Sequence, residues 1–203
     1  MNPTSREHHD HQTNTRRWRG TIDVPLITEG RKQALRLRMK LGGLDAIYHD
    51  GLSRCRDTAM LLHPNVLVED EGPGPWNMGN LFEGRPITED SLRMARWYIQ
   101  GNQYGQPPGG ETFAKWQDRW LRFMLSLTFG WAAVGVVTHN RNIQYLYSLH
   151  DGWFVPKLYD VEGPGFCSVH YFDQRTGHIA PWGGKWVPRG IYLIRHGETS
   201  WGT

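Results

Sequence analysis

A chain of 203 residues with a net charge of +3 has the size of one ordinary domain and only a mild basic excess. That excess falls far short of the Lys/Arg runs of a nucleic-acid arm, and no apolar run is long enough to span a membrane as a helix. Cys55 and Cys167 lack metal-ligand spacing, and Met1–Arg6 resembles no signal peptide, so a soluble cytoplasmic protein with reduced thiols is expected.

In chain order, residues 2–20 are polar and lack periodicity, which predicts a loop. His8, His9, Asp10 and His11 are neighbours in a flexible stretch without ligand geometry, so no metal is read there. With Arg16, Arg17 and Arg19 following, the segment suits a basic lid beside an anion site. Thr21–Leu26 is extended and stiffened by Pro25. Thr28 is expected to cap a helix over Ala34, Leu37, Arg38 and Leu41, stopped by Gly42-Gly43. Asp45–Tyr48 reads as a strand, Leu52–Leu62 as a helix, and Asn65–Val68 as a further strand. Residues 70–90 are irregular, Glu89–Ile99 is helical, and Gln106–Gly110 is a stiff loop. The stripe Phe113, Trp116, Trp120, Phe123 and Leu127 marks a long helix facing the core. Ala132–Val137 is the best central strand, ending on Thr138-His139-Asn140 before a helix with Ile143, Leu146 and Tyr147. A hairpin over Phe166–Phe172 and His178–Trp182 precedes the closing strand Ile191–Ile194. Alternating strands and helices predict an α/β fold, a three-layer α/β/α arrangement around a mostly parallel sheet.

Ligands of such sheets bind beyond the carboxyl ends of the strands. Two strands end on a histidine, His139 and His196, and Arg195 precedes the second. Gly197 is expected to turn the chain tightly there and to present Arg195 and His196 outward. Arg54 opens a helix after a third strand. Arginine forks match the oxygens of a phosphomonoester, the helix amino end after His139 adds a favourable dipole, and a neutral imidazole is a nucleophile near pH 7. This constellation points to phosphoryl transfer.

Leu193-Ile-Arg195-His196-Gly-Glu-Thr199, Arg19-Gly-Thr-Ile-Asp-Val-Pro-Leu26 with Glu29-Gly30, Leu52-Ser-Arg54-Cys-Arg-Asp-Thr58-Ala59, Pro108-Gly-Gly-Glu111-Thr and Val136-Val-Thr-His139-Asn together resemble the signatures of the histidine phosphatase, or phosphoglycerate mutase-like, family. The resemblance covers nearly the whole chain, 1–203, as one such domain. It implies that His196 accepts the phosphoryl group as a phosphohistidine, that Arg195, Arg54 and His139 bind that group, and that water then releases inorganic phosphate. Thr199 and Arg19 are read as further substrate-binding residues, and the chain carries no metal or nucleotide signature, so no cofactor or metal is expected. The leaving alkoxide needs an acid. Pro75 stands where the family places a glutamate, leaving Glu111 and Glu83, of which Glu111 is preferred for its place at a helix start. Gly202 stands where the family has an asparagine near the phosphate, for which a residue of the lid or Thr199 is the expected substitute.

The motif order departs from the family: Arg195-His196-Gly197 follows the other signatures instead of preceding them. Joining Thr203 to Asn2 restores the usual order, so a circular permutant is expected, with 185–189 spanning the original termini. The implied function is a phosphomonoesterase acting on a small phosphorylated metabolite. The alternatives are a catalytically weak phospho-ligand binding protein and a phosphoglycerate-type mutase; the oligomeric state stays open.

Overall fold

The computed structural model describes residues 16–100, 102, 104–127, 133–152, 158, 163–187 and 189–200. His8, His9, Asp10 and His11 of the expected lid, and Gly202, lie outside the described residues. The elements run α1 (Thr28–Arg38), β1 (Ala46–His49), α2 (Ser53–Leu62), β2 (Leu67–Glu69), α3 (Glu89–Gln100), α4 (Phe113–Ser126), β3 (Ala133–Thr138), α5 (Asn140–His150), β4 (Val169–Asp173), β5 (His178–Pro181) and β6 (Gly190–Arg195). Every predicted helix and strand is found, with ends displaced by a few residues.

The sheet has the order β2-β1-β3-β6-β4-β5. Its first four strands are parallel, whereas β4 runs antiparallel to both β6 and β5, as a tight hairpin dictates. Strands β3 and β6 lie in the middle, and their unbroken apolar runs follow from cover on both faces. Along them side chains alternate between two cores. Val134, Val136, Ile191 and Leu193 pack with Trp116, Trp120 and Phe123 of α4 and Ile143 and Leu146 of α5. Ala133, Val137, Tyr192 and Ile194 pack instead with Leu37 of α1 and with Cys55, Ala59 and Leu62 of α2. The period-2 alternation of a strand thus generates the three layers. Among the described residues no helix is long and apolar enough to cross a membrane.

Two expectations need correcting. Thr28 does not cap α1: it is the first helical residue, and Ile27 holds the cap position without a side-chain bond. Ile27 N–H donates instead to the carbonyl of Glu198, so the cap position is tied to the segment after His196. The helix also ends at Arg38, ahead of Gly42-Gly43, once Leu37 has been buried. The second correction concerns the turn after β6. His196 does not face outward but is 3% exposed, its ring beside those of His139 and Phe166 and the turn after it packed against α1. Two glycines allow that approach. A Cβ on Gly30 would sit 2.2 Å from the Glu198 carbonyl oxygen, and one on Gly197 would sit 2.6 Å from the Gly30 carbonyl oxygen.

This close packing gives a stability prediction. Gly30→Ala should lower the unfolding free energy by about 1–2 kcal/mol, since the collision is with backbone and outweighs the better helix propensity of alanine. Urea denaturation of the two proteins would check it; an alanine protein as stable as the parent would be inconsistent with this packing.

Candidate active site

The register of the central strands sets the site. Thr138 pairs with Arg195 at the carboxyl ends of β3 and β6, and the next residues are His139 and His196. The N–H of His196 donates to the Thr138 carbonyl at 3.1 Å, which carries the pairing one step further. The two imidazoles therefore face each other with ring centroids 5.3 Å apart. Both are buried, His139 as the N-cap of α5 and His196 in the turn under α1.

The protonation of His196 follows from its partner. Its Nδ1 lies 2.7 Å from the Gly197 carbonyl oxygen, which can only accept, so Nδ1 carries the proton and Nε2 keeps its lone pair. Burial, reinforced by His139, Arg54 and Arg195, holds this imidazole well below the usual histidine range, so it is neutral at pH 7. The ring is held with Nε2 unprotonated.

Around it the charge is positive. Arg54 is buried in the first turn of α2, its terminal nitrogens donating to the carbonyls of Ile22 at 2.7 Å and Gly20 at 2.8 Å. Arg195 donates through Nη1 to the Pro164 carbonyl, and its guanidinium lies 3.9 Å from the centre of the Phe166 ring. Arg19 approaches the same ring at 5.7 Å. Burial, followed by repulsion from the other arginines, lowers Arg195 to about 9 and Arg19 to about 10. Both stay charged at neutral pH. The Nε atoms of Arg19, Arg54 and Arg195 are buried without partners, and so is the hydroxyl of Thr199. Unsatisfied buried donors and mutually repelling cations describe a place prepared for an anion.

Asp50 was not among the predicted site residues. It follows β1, and its Oδ2 lies 2.5 Å from Nε2 of His139. Burial would raise its pKa, but His139 and Arg54 outweigh that and hold the carboxyl below the usual range. The ionised carboxylate accepts from the His139 Nε2–H, which fixes that ring. Cys55 Sγ lies 3.5 Å from the same nitrogen; burial, then Asp50, pushes its thiol well up, so it is neutral. Asp50, Cys55 and His139 present ligand atoms within 4.8 Å of one another, but the adjoining guanidiniums favour an anion over a cation. Asp50 could have been found by the rule that located the histidines, since His49-Asp50-Gly51 closes a parallel strand. Phe166, whose ring also lies 5.9 Å from that of His196, carried no such signal.

The two glutamates expected near the leaving group hold loops in place. Glu83 accepts from Thr21 N–H at 3.0 Å, from Thr21 Oγ1 at 2.7 Å and from Met78 N–H at 3.1 Å. It thus braces the Gly20–Ile22 loop that Arg54 grips. Glu111 accepts from Asn77 N–H at 3.0 Å and pairs with Arg119 at 2.9 Å. Arg119 also binds carbonyls of the 71–75 loop, including that of Gly74, which lies beside Asp50. The structure therefore brings His196, His139, Arg54, Arg195 and Arg19 together, with Glu83 and Glu111 one loop away.

A family model described as histidine phosphatase superfamily (branch 1) matches residues 8–180. Among solved structures, the chain is similar to YhfR of Bacillus stearothermophilus (26% identity, 85% of this chain and 90% of that one, TM-score 0.63). It is also similar to a phosphoglycerate mutase of Thermus thermophilus (30% identity, 64% and 72%, TM-score 0.54). The alpha-ribazole phosphatase of Shigella flexneri shares the fold at 19% identity (82% and 86%, TM-score 0.62). No curated protein matches the chain.

The buried neutral histidines set an acid sensitivity. His196 and His139 are lowered by burial, as is His170, which falls to about 4. Below the unfolded value of about 6.5 the unfolded chain binds protons that the native state does not, so stability is full above it and falls as pH drops toward 4. His170 alone accounts for at most roughly 3 kcal/mol of that fall. Urea midpoints at neutral pH and near pH 5 would measure it, and equal midpoints would refute it.

Proposed function

Because the chain belongs to the histidine phosphatase superfamily, we propose that it is a phosphomonoesterase that hydrolyses a small phosphorylated metabolite through a phosphohistidine on His196. The observation that carries this reading is the bare Nε2 of His196, set among guanidiniums whose buried Nε atoms lack partners. Arg195, Arg54 and Arg19 take the phosphoryl oxygens, with the Thr199 hydroxyl as a further donor. Nε2 attacks phosphorus, a P–N bond forms, and the bond from phosphorus to the leaving oxygen breaks. Asp50 takes the Nε2–H of His139 and fixes its ring beside His196, and His139 steadies the charge on the phosphoryl oxygens once it carries a second proton, on Nδ1. The leaving alkoxide takes a proton from a carboxylic acid, and Glu111 is the proposed acid once it has left Arg119 and taken up a proton from solvent. Water then attacks phosphorus and gives a proton to the carboxylate left by the first step, the P–N bond breaks, and inorganic phosphate departs. No step uses a cofactor, and the cytoplasm is the proposed compartment.

A second reading is supported by the engagement of both Glu111 and Glu83 in loop bracing. It holds that the protein binds a phosphorylated ligand with little turnover. Similarity to a phosphoglycerate mutase keeps a third, phosphoryl transfer between substrates, in play.

One experiment separates these readings. Hydrolysis of an aryl phosphate, whose leaving group needs little protonation, should fall by at least about 10³-fold in His196→Ala. Alkyl phosphates should slow by about 10²-fold in Glu111→Gln while aryl phosphates change little. An alkyl-specific loss in Glu83→Gln or Asp50→Asn instead would move the acid to that residue. A folded protein that binds phosphate without turnover would favour the binding reading, and transfer to an added phosphoglycerate would favour the mutase.

We also read the chain as circularly permuted relative to its family. Support comes from the family match ending at residue 180, ahead of the Arg195-His196-Gly197 motif, and from the central place of β6. A rearranged gene placing residues 190–200 ahead of residue 16 through the intervening polar segment should yield a protein of equal aryl-phosphatase activity. An insoluble or inactive product would argue against the permutation.

A further inference from the structure

A second pair of imidazoles meets at the far end of α5, about 16 Å along the helix from His139. His150 is the last residue of α5 and His178 the first of β5. Nε2 of His150 lies 3.1 Å from Nδ1 of His178, and the ring centroids are 5.0 Å apart. The other nitrogen of His150, Nδ1, lies 2.7 Å from Oδ1 of Asp151. Both imidazoles reach solvent, and neither takes part in the chemistry proposed above.

We propose that His150 and His178 form a binding site for a borderline divalent transition cation of the Zn2+ class. A carboxylate only accepts, so the contact with Asp151 keeps the proton on His150 Nδ1 and leaves Nε2 as a lone pair aimed at His178. This carboxylate–histidine arrangement fixes the tautomer and orientation of metal-ligating imidazoles and raises their basicity. The separation fits as well. Two imidazole nitrogens on one ion are about 2.9 Å apart at a right angle and about 3.3 Å apart at a tetrahedral angle, given Zn–N bonds of about 2.05 Å. The observed 3.1 Å falls between them. His178 needs only to carry its proton on the outer nitrogen for both lone pairs to face the ion.

The electrostatics agree. His150 ends a helix, where the outward carbonyls give a negative pole. Asp151 adjoins it, and Asp173 is the cross-strand partner of His178, on the same face of the β4–β5 hairpin. Arg175, on the turn into β5, is paired with Asp173 at 3.7 Å. Solvent would complete the coordination. Bound there, the ion would join the end of α5 to the start of β5, elements that otherwise come from distant parts of the chain.

The test is Zn2+ binding, by titration calorimetry at neutral pH, to the full chain in which His8, His9 and His11 are replaced by alanine to remove competing ligands. That background should bind one Zn2+ per chain. His178→Ala and His150→Ala should each weaken binding by at least about tenfold, and Asp151→Asn by about tenfold. Cu2+ in the background protein should show nitrogen hyperfine coupling from two imidazoles, reduced to one in His178→Ala. All three positions are exposed, and circular dichroism would verify folding; His178→Gln would replace any alanine variant that failed to fold. Zn2+ binding that survives loss of His178 within about twofold, or no binding in the background, would overturn the proposal.

Discussion

The protein is organised around positive charge that it buries with only partial compensation, from Asp50 beside Arg54 and from Glu198 near Arg19. Arg19, Arg54 and Arg195 converge on His196, and burial with mutual repulsion lowers Arg19 to about 10 and Arg195 to about 9. Ion-paired arginines would be indifferent to a ligand; these are instead held by main-chain carbonyls and by the face of Phe166. Carbonyls satisfy a guanidinium without neutralising it. The loop at 20–22 is thereby as much a clamp for Arg54 as a connection, and Glu83 braces it from the other side. Burial first, and the same positive field after it, keep His196 neutral, so the surroundings that suit an anion also leave Nε2 its lone pair.

The geometry of that pair is a property of the sheet. Parallel neighbours in register end at the same height, so residues following Thr138 and Arg195 meet without any special loop. Asp50 enters from the next parallel strand. Three adjacent strands thus deliver one chemical group each to a single edge. Helices α1 and α2 then close over them, which is where glycine at positions 30 and 197 becomes necessary. Rigid elements fix the reacting groups, and loops fix the groups that serve them.

Much of this could be read from residues alone. The apolar runs of β3 and β6 are long enough to declare a buried parallel sheet, and a histidine directly after each declares the site. What escaped was set by contacts between distant segments. The cap position of α1 is Ile27, tied by its N–H to the Glu198 carbonyl, rather than Thr28, and no local pattern announces a partner so far along the chain. The burial of His196 escaped for the same reason: its ring lies beside His139 and Phe166, and α1 packs on the turn after it. Glu111 sits at a helix start as expected, yet whether its carboxylate faces a leaving group or Arg119 is decided by an arginine eight residues on. Phe166 looked like a hairpin residue because only the folded chain shows what lies on its ring. Asp50 differs from these, being legible by the strand-end rule that found the histidines.

The bond between Gln33 and Glu198 closes a loop of 165 residues. Closing such a loop is opposed by chain entropy roughly 2.5 kcal/mol more than closing one of about ten residues. Contacts so remote in sequence are rewarded only once most of the chain is already ordered, and they slow folding. The turn that holds His196 against α1 belongs to this class. The site is thus assembled at the close of folding, and a half-folded chain, however helical, leaves His196 without its surroundings.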